Sequence, residues 1–404
     1  MKYSLIVPVF NRPDEVDELL ASLCRQTLND FEVIIVEDGS TVPCRDVCSK
    51  YAQCLDLHYY AKPNSGPGQS RNYGAERARG EWLIVLDSDV VLPEGYLRAV
   101  DDELTSLECR VESGEFATAF PSSADGSPEG NSKLSTLNSK PELAAWGGPD
   151  AAHPDFTPVQ KAISYSMTSF FTTGGIRGGK GKKMDKFFPR SFNMGVRADV
   201  YRQLGGFSHM RFGEDIDFSY RIVEAGYATR LLSEAWVWHK RRTDFRKFFR
   251  QVCHSGMARI DLEKRHPGTL KLVHLLPAVF ALGVTGCLVL FGLGVALYIE
   301  GCWLDAHDLR PTDDMHQGVG FVLSVLALTP IIIYSAAIAA DSTLRNRSLW
   351  VGLLSVPAAF TQLMGYGLGF IKAWWSRCVL KRGEESPSGQ TADERRERER
   401  RFYS

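Results

Sequence analysis

The stretch Trp82-Leu83-Ile84-Val85-Leu86-Asp87-Ser88-Asp89 decides how the rest of the chain is read. An unbroken apolar run of strand length passes directly into two carboxylates at i and i+2. Such a run suits a strand buried on both faces of a parallel sheet. Carboxylates just beyond it are costly to bury unless something positive meets them. Hard oxygen ligands in that place suit Mg2+ or Mn2+, which completes its shell with water and phosphate oxygens. The competing reading is a capped turn before a helix near Glu94.

Upstream, Tyr3 to Phe10 is a second apolar run. It is too short for a signal peptide, contains Pro8 and runs straight into Asn11-Arg12-Pro13-Asp14, so it predicts a first buried strand. Val16, Leu19, Leu20 and Leu23 then fall at i, i+3, i+4 and i+7 behind Pro13, the spacing of an amphipathic helix. Phe31 to Val36 predicts the next strand, and a helix is expected around Ser70 to Arg79. Strands alternating with helices imply an α/β domain with a mostly parallel, Rossmann-like sheet and ligands at the strands' carboxyl ends. This domain is expected over residues 1–250, interrupted by a Ser-, Gly- and Pro-rich inserted loop at 121–158.

The 404 residues carry a net charge of −1, which argues against a nucleic-acid binder. Nine scattered cysteines without a CxxC pair suit a reducing compartment better than a disulfide scaffold. Cys44, Cys48 and Cys54 lack the partners of a zinc site. Residues 275–299 and 318–340 hold no Asp, Glu, Lys or Arg, and each run exceeds the roughly 20 residues that cross a bilayer. A third run, 349–371, carries Pro357, Gln362, Gly365, Gly367 and Gly369 and is compatible with a full span or a re-entrant segment. The transmembrane region is therefore set at 272–376, behind a basic membrane-proximal segment at 251–271. Ten Lys and Arg lie between His239 and Lys271, whereas Glu300, Asp305, Asp308, Asp313 and Asp314 dominate the loop after the first run. Positive flanks stay inside, so the N-terminal domain is expected in the cytoplasm. The Arg-rich tail, 377–404, is read as a solvated, disordered end.

Other polar clusters fall where such a sheet presents ligands. Val36-Glu37-Asp38-Gly39-Ser40 ends the second strand with a carboxylate that can meet ribose hydroxyls or a base, although Asp-Gly-Ser is also an ordinary turn. Gly213-Glu214-Asp215-Ile216-Asp217 puts three acids in the first turn of a helix; dipole capping explains one or two of them better than three. A carboxylate there can act as a general base. His239-Lys240-Arg241-Arg242 offers a metal ligand beside cations that could neutralise a diphosphate, or plain membrane-proximal charge. Thr173 to Lys183 is a Gly-rich basic loop suited to phosphate, or a linker.

Taken in order, Val7-Pro8-Val9-Phe10-Asn11, Val36-Glu37-Asp38-Gly39-Ser40, Asn64-Ser65-Gly66-Pro67-Gly68 with Arg71-Asn72, and Asp87-Ser88-Asp89 resemble the nucleotide-binding half of glycosyltransferase family 2. Asn193-Met194-Gly195, Gly205-Gly206-Phe207 and Gly213-Glu214-Asp215 continue the likeness to about residue 250. The resemblance implies the GT-A fold and inverting, metal-dependent transfer of a sugar from a nucleotide-diphosphate donor. It implies donor-nucleotide contacts at Pro8, Asn11, Asp38, Asn64, Arg71 and Asp87. Asp87, Asp89 and His239 would hold the divalent cation, Asn193, Glu214, Lys240, Arg241 and Arg242 would meet diphosphate or acceptor, and Asp215 would be the base. Processive members carry Gln-x-x-Arg-Trp after the catalytic acid. Here the region reads His239-Lys240-Arg241-Arg242-Thr243, which favours one sugar per encounter. The carboxyl half is similar to membrane regions of bacterial exopolysaccharide-type members. These features imply a lipid-linked or saccharide acceptor, the bacterial inner membrane and envelope glycan synthesis. A polyprenyl-phosphate sugar synthase is the alternative enzyme, and an inactive sugar-nucleotide-binding scaffold the non-enzyme alternative.

Overall fold

The computed structural model describes residues 1–112, 142–153, 155–174, 187–306 and 315–380. The strands are β1 (Tyr3–Val9), β2 (Phe31–Asp38), β3 (Leu57–Lys62), β4 (Trp82–Leu86), β5 (Val90–Val91), β6 (Leu143–Gly147), β7 (Asp150–Ala151), β8 (Asn193–Arg197), β9 (Ala228–Leu231) and β10 (Val237–His239). Seven of them form one sheet in the order β3-β2-β1-β4-β8-β6-β9. The pairs β1–β2, β1–β4 and β2–β3 are parallel, and β8 runs antiparallel to both β4 and β6. Register sets Val9 against Glu37 and Ile6 against Val85. The carboxyl ends of β1, β2 and β4 therefore open on one edge.

Helices α1 (Pro13–Leu23), α2 (Arg45–Lys50), α3 (Pro67–Ala75), α4 (Tyr96–Glu112), α5 (Pro158–Thr168), α6 (Phe170–Thr173), α7 (Ala198–Gln203) and α8 (Glu214–Glu224) follow. Alternate residues of the central strands are apolar on both faces, so both faces need a cover. Leu5, Val7, Val33 and Ile35 pack with α1 and α4, whereas Ile6, Ile34, Val36 and Val85 pack with α3, α7 and α8. Helix α3 lies so near the sheet that a Cβ on Gly74 would stand 2.6 Å from Ile6 Cγ2.

The inserted loop expected at 121–158 requires correction. Leu143–Gly147 is strand β6, within the main sheet, with Ala144, Ala145 and Trp146 fully buried. Its pairing with β8 and β9 is long-range, and Leu-Ala-Ala-Trp-Gly carries no β-branched residue to announce a strand. The rest of the expected loop, up to residue 141, lies outside the described residues, as do 175–186 of the basic loop and 381–404 of the tail. Trp375–Val379 continues as a helical turn, so the tail's first residues are ordered. The cysteine expectation is also corrected: Cys24 and Cys54 form a disulfide, because the end of α1 and the turn after α2 lie side by side, their Cα atoms 6.0 Å apart.

Helix α9 (Phe245–Arg265) precedes α10 (Leu276–Ala306), α11 (Met315–Asn346) and α12 (Leu349–Trp374). The last three are long and apolar enough to cross a membrane. The third apolar run is one continuous helix despite Pro357. The chain divides into two compact units, one built from 1–248, 265–267 and 329–362 and the other from 249–264, 268–328 and 363–404. In the second, Ile260, Ala278, Phe370 and Ala373 form the core.

Candidate active site

A second, three-stranded sheet, β5-β10-β7, assembles the centre of the site. Strand β4 is wholly buried and delivers Asp87-Ser88-Asp89 to the open edge. The chain then enters β5, whose Val90 pairs with His239 of β10. That register seats the imidazole beside Asp89, with Nε2 3.3 Å from Oδ1. The main-chain N–H of Lys240 donates to the Asp89 carbonyl at 3.0 Å. Strand β7 flanks β10 on the other side, where Asp150 Oδ2 stands 3.8 Å from His239 Nδ1. The ring stacks on Phe192 at 5.1 Å, which fixes its plane.

One ligand atom from each of Asp87, Asp89 and His239 lies within 4.8 Å of the others. Two carboxylates and an imidazole form a donor set that fits a divalent cation. Burial alone would raise the Asp89 carboxyl, but His239, Arg12 and Arg242 hold it well below its ordinary range. Burial alone would lower His239, but the carboxylates of Asp150 and Asp89 outweigh it and push its pKa up to about 9. Arg12 Nη1 donates to Asp89 Oδ2 at 2.7 Å, so a guanidinium already answers this negative charge.

The residues expected to meet the nucleoside gather where β1, β2 and β3 end. Pro8 lies in β1 opposite Val36. Asn11 adopts φ 54°, and its Oδ1 accepts from the Thr41 and Val42 N–H groups at 2.8 and 3.0 Å. This ties the loop after β1 to the loop after β2. The Asp38 carboxylate accepts from the Ser65 and Gly66 N–H groups, each at 2.9 Å, and pairs with Lys62. Asn64 Nδ2 donates to the Asp38 carbonyl at 2.9 Å. These contacts build the turn that starts α3.

Three other expected ligand residues are buried and have protein partners. Arg71 is only 4% exposed and bridges Asp87 and Glu214 at 2.9 Å each. Glu214 is correspondingly engaged by Arg71 rather than offered to a ligand. Asn193 is fully buried in β8, its Oδ1 accepting from Tyr96 Oη at 2.6 Å and its Nδ2 donating to the Ala235 carbonyl at 2.8 Å. It braces the sheet beneath Asp87.

Helix α8 begins after Gly213, whose φ of 80° suits glycine. Consecutive side chains diverge by about 100°, so its acids face different partners. Asp215 Oδ2 accepts from Arg190 Nε at 2.7 Å. Burial would raise this carboxyl, but Arg190 outweighs it and keeps the value below ordinary. Glu214 is raised by burial. Asp217 lies on the far side with Arg221 Nε and His266 Nε2, each at 3.1 Å. Lys240 pairs with Glu18 at 2.6 Å and Arg241 with Asp150 at 2.6 Å, and Arg242 acts on Asp89 through its charge. Sequence reasoning gave no role to Arg12, Asp150, Arg190 or His266. Asp150 and Arg190 lie in stretches without periodicity, and only the Asn-Arg after β1 gave a local hint.

A buried strand ending in a dicarboxylate is thus joined through Arg71 to an acidic helix start. Residues 4–163 match the model of glycosyl transferase family 2. The chain is 25% identical to the pre-mycofactocin glycosyltransferase of Mycobacterium tuberculosis over 73% of its own length and 53% of that protein. It is 40% identical to the poly(ribitol-phosphate) beta-N-acetylglucosaminyltransferase TarS of Staphylococcus aureus, over 22% of this chain and 16% of that one. The match thus spans about half of the first relative and less of the second. Among solved structures, the mannosyltransferase of Pyrobaculum calidifontis in complex with GDP-Man and Mn2+ superposes with a TM-score of 0.48 at 14% identity, covering 93% of this chain and 88% of that one.

Proposed function

We propose that this chain is an inverting glycosyltransferase. It moves a single sugar from a nucleotide-diphosphate donor to a hydroxyl of a lipid-linked saccharide at the cytoplasmic face of a bacterial inner membrane, in envelope glycan synthesis. The observation that carries the reading is the convergence of Asp87, Asp89 and His239, coupled through Arg71 to the helix start that bears Asp215. The relatives named as glycosyltransferases support it, and the three apolar helices support a membrane-borne acceptor.

The nucleoside meets the edge formed by Pro8, Asn11, Asp38 and Asn64. Asp87, Asp89 and His239 would hold a Mg2+ or Mn2+ ion, which would supply charge neutralisation for the diphosphate. Arg12 and Arg242 add fixed positive charge on the same side. Asp215 takes the proton of the acceptor hydroxyl as its oxygen bonds to the anomeric carbon. The bond from that carbon to the diphosphate oxygen breaks, and its electron pair leaves with the nucleoside diphosphate. Attack opposite the leaving group inverts the anomeric centre. Arg190 keeps Asp215 ionised before the acceptor arrives.

The test is transfer by the full chain in nanodiscs, with labelled UDP- and GDP-sugars and a lipid extract. Asp89→Ala is expected to abolish transfer and metal-dependent donor binding while the melting curve stays cooperative. Asp215→Asn should lower kcat by about 10²–10⁴ with donor binding nearly unchanged, the usual contribution of a positioned base. Undiminished transfer in EDTA and in Asp89→Ala would overturn the metal assignment. A mild loss in Asp215→Asn would move the acceptor from a hydroxyl to a lipid phosphate, which needs no base.

A further inference from the structure

Helix α5 starts with a capping box, Thr157 accepting from Gln160 and Gln160 answering the Thr157 N–H. At this end Gln160 Nε2 also donates to the main-chain carbonyl of Arg241, at the rim of the candidate active site, at 3.0 Å. Toward its other end Tyr165 packs with Ile338 of α11 and Ala359 of α12, and its hydroxyl donates to Asp341 at 2.7 Å. Ser169 then breaks the helix and caps the short α6. There Phe170 and Phe171 stand 68% and 40% exposed, edge to face at 6.2 Å. The Phe171 carbonyl accepts from Tyr334 Oη of α11 at 3.0 Å.

That hydrogen bond sets the height of the phenyl pair. Tyr334 precedes Asp341 on the same helix by two turns, roughly 10 Å at 1.5 Å per residue. Asp341 is the first charged residue after the apolar run, so it marks the polar end of the span. Ile332 and Ile333, beside Tyr334, are exposed on a helix apolar enough to cross a membrane. The two phenylalanines therefore continue an apolar surface already suited to lipid. Their depth matches the headgroup–acyl boundary, where amphipathic segments bury aromatic side chains roughly 5–10 Å.

We propose that α6 is an interfacial anchor: Phe170 and Phe171 insert into the acyl boundary of the bilayer, and α5 carries that height to the Arg241 rim. The cleft is thereby held facing the lipid layer, where a lipid-linked acceptor presents its sugar. The inference rests on reading α11 as a span.

The experiment places p-benzoylphenylalanine at position 170, at 333 and at 42 in the full chain in native-lipid nanodiscs. Ultraviolet exposure is followed by mass spectrometry of adducts. Val42, an exposed apolar residue in the loop after β2, is the water-facing control. Lipid adducts are expected at 333 and at 170, with 170 at least about tenfold above 42, the partition ratio that burial of one phenyl ring supports. Adducts at 333 but not at 170 would overturn the anchor and leave the span intact. Adducts from 170 to a second copy or to this chain itself would also overturn it. No lipid at 333 would overturn the span, and the anchor with it.

Discussion

Asp215 sits under two opposing influences, burial that favours its neutral form and the Arg190 guanidinium that favours its charged form. The cation wins, so the carboxylate is ionised throughout the physiological range. A base must be unprotonated to act, so the acid limb of the kcat profile should fall below the ordinary carboxylate range. Arg190→Gln removes the nearest cation and leaves burial opposed only by Arg71 and the Ile216 N–H, so the folded pKa rises and the limb moves to higher pH. Arg190→Lys should move it less. Profiles of kcat at saturating donor check this, and a limb that stays in place in Arg190→Gln would separate Arg190 from the base. Asp217, two positions on, has the same chemistry and a different fate. It is nearly fully buried against Arg221 and His266. Asp217→Asn is expected to lower the thermal midpoint, with kcat of the folded protein close to wild type. A kcat loss as large as that of Asp215→Asn would move the base to Asp217.

At the scale of elements, α8 is held in rotation from two sides, by Arg71 and Arg190 toward the cleft and by His266 away from it. Helix α3 owes its position to a missing side chain. A Cβ at residue 74 meets Ile6 Cγ2, a stiff branch close to the backbone. Gly74→Ala should therefore destabilise the domain by about 1–3 kcal/mol, the usual cost of overpacking. Ile6→Ala opens the space that Gly74→Ala fills, so the double variant should lose less than the sum of the singles. Denaturant midpoints of the four proteins check the coupling, and strict additivity would show that α3 adjusts its distance freely.

For the whole molecule, the asymmetry of charge around the apolar helices sets the expected topology. Lys and Arg crowd the segment before α10, and acids crowd residues 300–314. A reporter at the N-terminus should read as cytoplasmic and one inserted at residue 308 as periplasmic. Both on one side would remove the hairpin of spans. A full crossing by the third helix would export the Arg-rich tail, so a reporter after residue 404 decides its path.

Much of this was legible along the chain. The Trp82–Leu86 strand, the Asp87-Ser88-Asp89 pair, the Gly213-Glu214-Asp215 helix start and the apolar runs are local patterns, set by side-chain period and solvation over a few residues. His239 was legible as a ligand type, and its place beside Asp89 follows from a strand pairing between residues 90 and 239. Asp150, Arg190 and His266 became visible only on folding, since nothing nearby in sequence marks them. The fates of Arg71, Glu214 and Asn193 were also tertiary decisions. Each looks like a ligand group in sequence, and each gains a partner that only folding supplies: Asp87 and Glu214 for Arg71, Arg71 for Glu214, Tyr96 and the Ala235 carbonyl for Asn193. The sequence determined which chemical groups reach the edge of the sheet, because strand and helix periods are local. The tertiary structure decided which of them stay free for a ligand, because a buried polar group must be satisfied by whatever long-range neighbour packing brings to it.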